Sequence, residues 1–258
     1  MGVATNEHGV GSVLFVSALL MAATGCVTPI GPSASIDPAA RAQIDRMRAA
    51  VGGLERYAMV VESVTDEMLP SGRLVQVGRT TEMRVERPDR MAVSVVRDSG
   101  ERWSAWITGG NVVLLDETEA RCARLALPAG LDEALQDLGD RHGLHVPLAD
   151  IVSGLRRDDL LTRVESGLYV GTDTVADRQC HHLLFRQPVA DWQVWIEAGE
   201  PALPRRILMT YKDVPDHPTY RATIAEWDIA PRFDDNTWLP RLPEGVQEVE
   251  MDELLSQE

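Results

Sequence analysis

The 258 residues contain no Gly-x-Ser-x-Gly nucleophile elbow, no glycine-rich loop between strand and helix that could cradle phosphate, and no dinucleotide fingerprint. Hydrolases of the elbow type, P-loop enzymes and Rossmann dehydrogenases are thereby set aside. Internal repeats and low-complexity tracts are missing, which removes solenoids and fibrous folds. Long apolar runs are scarce: Val13–Ala23 falls short of the roughly 20 residues that cross hydrocarbon and is bounded by Gly11 and Ser12. Positive charge is in deficit, with 25 Lys and Arg against 40 Asp and Glu, a net −15. Such a chain is repelled by nucleic acid and by anionic headgroups, so no nucleic-acid partner is expected and the acidity serves solubility. Cysteine is rare too; the 3 present form an odd count.

The short apolar run is nonetheless the most informative segment. It ends in Ala23-Thr24-Gly25-Cys26, small residues followed by a cysteine where bacterial lipoproteins are cleaved and acylated. This predicts a signal peptide over 1–25, cleavage between Gly25 and Cys26, and a lipid (palmitate-type) anchor on Cys26, with the folded part in the periplasm. Two features depart from that pattern. Met1–Gly11 holds no Lys or Arg, only Glu7 and His8, and Ala23 stands where lipoprotein signals most often carry Leu. Ordinary cleaved secretion, with Ala23 and Gly25 as the small residues at −3 and −1, is the alternative. Each buried CH2 of an acyl chain contributes about 0.8 kcal/mol, so two or more chains hold a protein without any span. Lipidation of Cys26 would leave Cys122 and Cys180 as a candidate disulfide in an oxidising compartment, against a reading as two buried thiols that never meet.

Residues 26–36 are small and rich in Pro and Gly, the composition of a flexible tether. Asp37-Pro38 then offers an N-cap and a proline at the first helical position. Ile44, Met47, Val51 and Leu54 repeat at helical spacing through Arg41–Glu55, which predicts an amphipathic helix. From Tyr57 the period changes to two: Thr81, Met83 and Val85 alternate with Glu82, Arg84 and Glu86, and Met91, Val93 and Val95 follow suit. Strand patterns continue at 102–107, 111–116 and 120–125, divided by Pro88-Asp89, Ser99-Gly100 and Gly109-Gly110, so these strands form an antiparallel meander. Gly130–Gly143, with Leu131, Ala134, Leu135 and Leu138 on one face, and Pro147–Leu155 read as short helices. Strands resume at 167–175, 178–187, 191–198, 205–212 and 220–229, and a Pro-rich acidic stretch from Asp234 is expected to cross the sheet edge. The expected fold is one α+β domain over 37–248 with about ten or eleven antiparallel strands, followed by an acidic tail at 249–258.

Cys180-His181-His182-Leu183-Leu184-Phe185-Arg186-Gln187-Pro188, Asp191-Trp192-Gln193-Val194-Trp195-Ile196-Glu197 and Leu203-Pro204-Arg205-Arg206 resemble a family of predicted periplasmic bacterial proteins without an established activity. Arg87-Pro88-Asp89-Arg90, Leu131-Asp132-Glu133-Ala134-Leu135 and Tyr169-Val170-Gly171 add to the likeness, which covers nearly all of 37–248. The resemblance implies a relative of the lipoprotein-carrier (LolA/LolB-like) fold, a strongly curved antiparallel half-barrel wrapping helices around an apolar cavity. It also implies binding of acyl chains rather than catalysis. Val27, rather than the Asp that retains many lipoproteins in the inner membrane, follows the cysteine, so the periplasmic side of the outer membrane is the expected address.

The strand pattern points independently to an apolar concave side built from Met83, Val85, Met91, Val93, Val95, Trp103, Phe185 and Trp192. Met and Trp adapt to irregular shapes, which suits acyl chains; a plain core packed on the helices is the alternative. Polar constellations are weaker. On a strand only Cys180 and His182 of Cys180-His181-His182 share a side, and two ligands do not make a zinc site. His142 and His145, with Asp140 and Asp150, lack the helical i, i+4 pair of a metalloprotease, and Gly143 is expected to end a helix between them. Asp158-Asp159 and Asp234-Asp235 read as loop or helix-start residues, Asp158 or Asp159 being more suited to capping a helix than to acid–base work. No catalytic residue, metal or cofactor is expected. The favoured expectation is a lipid-anchored protein binding an acyl chain or other apolar ligand, with other lipoproteins as further partners. A filled-core envelope scaffold is its first rival, and a hydrolase using His182 or the Asp140–His145 group its second.

Overall fold

A computed structural model describes residues 35–144, 148 and 160–255. Gly25, Cys26 and the leader, the second expected helix at Pro147–Leu155, and His145, Asp150, Asp158 and Asp159 lie outside the described residues.

The chain opens with α1 (Pro38–Gly52). Asp37 caps it by accepting a hydrogen bond from the Ala39 amide at 2.8 Å, with Pro38 at the first helical position, as the sequence predicts. Its buried stripe is Ala40, Ile44, Met47 and Val51. Six strands follow in hairpin succession: β1 (Arg56–Met68), β2 (Leu74–Glu86), β3 (Arg90–Arg97), β4 (Arg102–Thr108), β5 (Asn111–Asp116) and β6 (Arg121–Ala126). Next comes α2 (Leu131–His142), which buries Leu131, Ala134, Leu135 and Leu138 and ends on Gly143 at φ 65°, a left-handed turn that glycine adopts without steric cost. A second meander follows: β7 (Ser166–Val175), β8 (Arg178–Arg186), β9 (Ala190–Glu197), β10 (Pro204–Tyr211) and β11 (Thr219–Asp228). A 3-10 turn at Asp235–Trp238 is capped by Asp234, in keeping with the helix-start reading of that pair. The chain then adds the two-residue β12 (Gln247–Glu248) and α3 (Met251–Leu255).

All twelve strands belong to one open, curved sheet, in the order β12-β6-β5-β4-β3-β2-β1-β11-β10-β9-β8-β7. The strand number exceeds the expected ten or eleven by β12, which pairs parallel with β6 and forms the edge of the sheet. Two residues carry no readable period. The larger difference is in topology: the two meanders are joined by antiparallel pairing of the first strand with the last long one, Thr65↔Tyr220 to Ala58↔Asp228. Hence β1 is central, flanked on both sides. The segment 249–258, expected as an acidic tail, includes α3, whose Met251 and Leu254 are buried in the main core.

Alternation sorts each strand into two faces. Tyr57, Met59, Val61, Met83, Val85, Met91, Ile107, Phe185, Val194, Ile207 and Ile224 all point to the concave side. There they join α1 and α2 in a single apolar cluster. Burying such a cluster at roughly 25 cal/mol per Å2 is what holds the sheet around the helices. A smaller convex cluster collects Val175, Cys180 and Trp195.

Candidate functional site

The eight residues expected on the apolar side lie in, or pack against, the one main buried cluster. They form two groups. Met83↔Val93, Val85↔Met91 and Val95↔Trp103 are direct cross-strand partners on β2, β3 and β4. Phe185 pairs with Trp192 across β8 and β9, the rings stacked with centroids 4.2 Å apart. Met83, Val85, Met91, Val93, Phe185 and Trp192 belong to the buried cluster, whereas Val95 and Trp103 pack against it only partly covered.

Coverage of the concave face is thus uneven. At the end where α1 terminates and α2 begins, side chains are sealed, Val85 at 0% exposure and Ile107 at 2%. Towards the opposite end the inner residues Val95, Trp103, Met209 and Tyr220 stay partly exposed, with Leu160, Leu161 and Val164 lying against the same cluster. Met209 and Tyr220 are additions to the expected set. The alternation within 205–212 and 220–229 places them beside Ile207 and Ala222, so the signal was present in the period.

Polar side chains ring the half-covered end. Arg79 and Arg97 are direct cross-strand partners, an arrangement that costs free energy unless a carboxylate intervenes. Glu67 intervenes, with Arg79 on one oxygen and Arg97 at 3.0 Å on the other, while Thr65 accepts from Arg79 at 3.0 Å and Glu101 reaches Arg97 at 3.1 Å. Burial pushes the Tyr220 hydroxyl above its ordinary pKa, so it is a neutral group at the edge of an apolar surface. Across the sheet, His181 Nδ1 meets the Tyr169 hydroxyl at 2.8 Å. Its pKa is held down by burial and, secondarily, by the Arg46 guanidinium on α1. Arg46 itself ties α1 to the β9–β10 turn through Glu200 at 2.7 Å.

The convex side holds Cys180 and His182 together, as the strand period requires. His182 stacks on Trp195 at 4.1 Å, with Asp173 3.1 Å from Nδ1 and Gln193 2.8 Å from Nε2. Trp195 donates to Asp173 at 2.7 Å. Both ring nitrogens of His182 and the Trp195 N–H thus have partners within the group, and the nearby Cys180 thiol is pushed up by burial, a poor nucleophile. Among the described residues no group of three His, Cys, Asp or Glu is arranged to hold a metal. His142 lies 3.8 Å from Asp252, and Asp140 accepts from Gln136 at 3.4 Å.

The candidate disulfide is corrected: Cys122 and Cys180 are both free and buried. Cys122 lies on β6 beside one sheet edge and Cys180 on β8 beside the other, so eight strands separate them in the sheet order. The hollow at the β1 bulge, lined by Met59, Met83 and Trp227 among others, holds about 120 Å3, well under the ~300–1,000 Å3 of ordinary ligand pockets. Glu82, Arg84, Glu226 and Asp228 also line it, so it is a polar surface dent, and the half-covered end of the concave face is the candidate site.

Comparison with solved structures finds the lipoprotein LppX of Mycobacterium tuberculosis, 14% identical, covering 77% of this chain and 100% of that one with a TM-score of 0.49. An uncharacterized conserved protein from Thermus thermophilus is 11% identical over 82% of this chain and 99% of that one, TM-score 0.47. A LolA superfamily protein from Nitrosomonas europaea is 8% identical over 78% and 97%, TM-score 0.36. No curated protein matches the chain. The residue pattern first noted around Cys180–Pro188 lies within a much longer match, over residues 40–252, and by it the chain belongs to the family described as predicted periplasmic protein (DUF2092).

Proposed function

We propose that this protein binds an acyl chain or other apolar ligand on the half-covered end of its concave face, tethered to the periplasmic side of the outer membrane through acylated Cys26. One observation carries the ligand reading: Val95, Trp103, Met209 and Tyr220 are large inward-facing groups that the protein's own helices leave partly uncovered. Their neighbours Met83, Val85, Met91, Phe185 and Ile207 on the same face are buried. Binding would be equilibrium burial of this surface, at about 25 cal/mol per Å2, with the polar ring of Arg79, Arg97 and Glu67 at its border and no bond made or broken.

Native mass spectrometry of the full protein extracted from membranes is expected to show copurifying lipid. A fluorescent long-chain fatty acid should bind, and Trp103→Ala should weaken it about tenfold, some 1.4 kcal/mol of lost contact. Alanine at His182 should leave that affinity unchanged. A protein that carries no lipid and ignores the probe is the filled-core scaffold instead, for which the sealed rows around Met83 and Met91 already speak. The anchor is tested separately, by incorporation of labelled palmitate that Cys26→Ala abolishes; equal label in both proteins ends the lipoprotein reading.

A further inference from the structure

β1 and β2 are longer than their neighbours. The last β1–β11 pair is Thr65↔Tyr220 and the β2–β3 ladder begins at Arg79↔Arg97, so Glu67↔Val75 and Met68↔Leu74 project past both flanking strands. A tight turn closes this ribbon, Leu69 donating to Arg73 O at 2.9 Å and Gly72, at φ 76°, donating to Leu69 O at 2.8 Å. Its tip is apolar and open: Met68 is 40% exposed, Leu69 41% and Val75 36%. From Met68 to Val75 the only charge is Arg73, in a chain of net −15. An exposed, apolar, weakly charged hairpin on a soluble surface is a liability unless something covers it.

The rest of the molecule indicates what does. Among the described residues, four of the eight exposed large hydrophobics lie at this one end of the sheet: Met68, Leu69 and Val75 on the ribbon and Val189 in the β8–β9 turn. The chain also enters the fold there. Gly167 exchanges hydrogen bonds with Ser35 and Asp37, and the row Gly167–Phe185–Trp192–Met209–Tyr220–Thr65 runs straight across the sheet from that entry to the base of the ribbon. Five strand spacings of ~4.8 Å put the two roughly 24 Å apart. The nine residues 26–34 reach at most about 30 Å, so an anchor at Cys26 holds the bilayer within range of the hairpin tip.

We infer that the β1–β2 hairpin tip is a second membrane contact, with Met68, Leu69 and Val75 entering the interface of the bilayer to which the N-terminus is tethered and Arg73 lying at the headgroups. The contact orients the half-covered concave end, on the same side, towards the lipid. It stands apart from the ligand reading, since a filled-core scaffold could dock in the same way.

Hydroxyl-radical footprinting of the full protein, as purified from cells, tests it with vesicles of the net-neutral lipids phosphatidylethanolamine and phosphatidylcholine. Oxidation of Met68 is expected to fall severalfold when vesicles are present, labelling at Ile229 and Leu239 staying constant. Leu69→Ser with Val75→Ser should keep the melting temperature and the fatty-acid affinity of the parent while abolishing that protection. Met68 labelled equally with and without vesicles overturns the inference. Protection in the absence of vesicles, accompanied by a doubled molecular mass, assigns the tip to a second copy of the chain and overturns it as well. Loss of fatty-acid binding with vesicle protection intact would refute only the ligand reading.

Discussion

Gly167 shows how tightly single positions are specified on the concave face. A Cβ there would sit 2.7 and 2.8 Å from atoms of the Phe185 ring and 2.9 Å from Ile36 Cγ2, inside any real carbon–carbon contact. The ring cannot retreat, because Phe185 is fully buried and stacked on Trp192. Gly167→Ala should therefore cost about 1–3 kcal/mol, as overpacking does, read as a lower melting temperature. Phe185→Leu in the same chain should recover part of the loss, and a double-mutant cycle without coupling would assign the cost elsewhere. His181 gives a pH dependence at the same scale. Its folded pKa lies below the unfolded value near 6.5, so the unfolded chain binds the extra proton first. The associated stability is complete above the unfolded pKa and is lost as pH falls through the folded one. Denaturant midpoints should thus decline on acidification from neutrality, and His181→Gln should flatten that part of the curve. Asp66 adds its own share only in the acid range: burial disfavours its charge, but bonds from the Thr219 hydroxyl, the Thr219 amide and Gln76 outweigh it and lower the pKa.

Among elements, α2 is held by its apolar stripe and by one charged contact at its start. Arg87, in the β2–β3 turn, meets Asp132 at 3.0 Å with its side chain 3% exposed. Asp132→Ala would leave a guanidinium buried without that partner, at a cost of about 2–3 kcal/mol; Asp132→Asn, still an acceptor, should lose less. Equal melting temperatures for Asp132→Ala and the parent would show that Arg87's remaining contacts suffice. Most elements could be read from sequence because their burial is one-sided. Met83 and Val85 face the core while Glu82 and Arg84 face water, and Ile44, Met47 and Val51 do the same at helical spacing. The features that escaped have no local signature. β12 is too short for a period, and the union of β1 with β11 links residues more than 150 positions apart. The two cysteines misled for a related reason: their count bears on redox chemistry, but only the sheet order tells where they stand. The candidate site was legible to the same degree. Face assignment found Trp103 and Val95, whereas which end of that face stays uncovered depends on where α1 and α2 come to rest.

At the scale of the whole molecule, the central position of β1 decides how the protein comes apart. Without the β1–β11 ladder the sheet would fall into two meanders of six and five strands, each with one helix-covered face and a long new edge. The ladder removes that edge and merges both halves into one cluster, since Met59 and Val61 of β1 lie in the same core as Ala222 and Ile224 of β11. Neither half can bury its apolar face alone, because α1 precedes the first meander in sequence yet carries Arg46 to the turn between β9 and β10 of the second. Two local modules would melt separately, whereas shared burial makes them cooperative. Calorimetry should accordingly give a single transition with matching calorimetric and van't Hoff enthalpies. The slowest-exchanging amides should lie on β1, β2 and β11, with β7 and β12 exchanging earliest as the sheet edges. Two resolved transitions, or slow exchange confined to one meander, would mean that the first-to-last strand pairing is a docking seam between modules and not the spine of the fold.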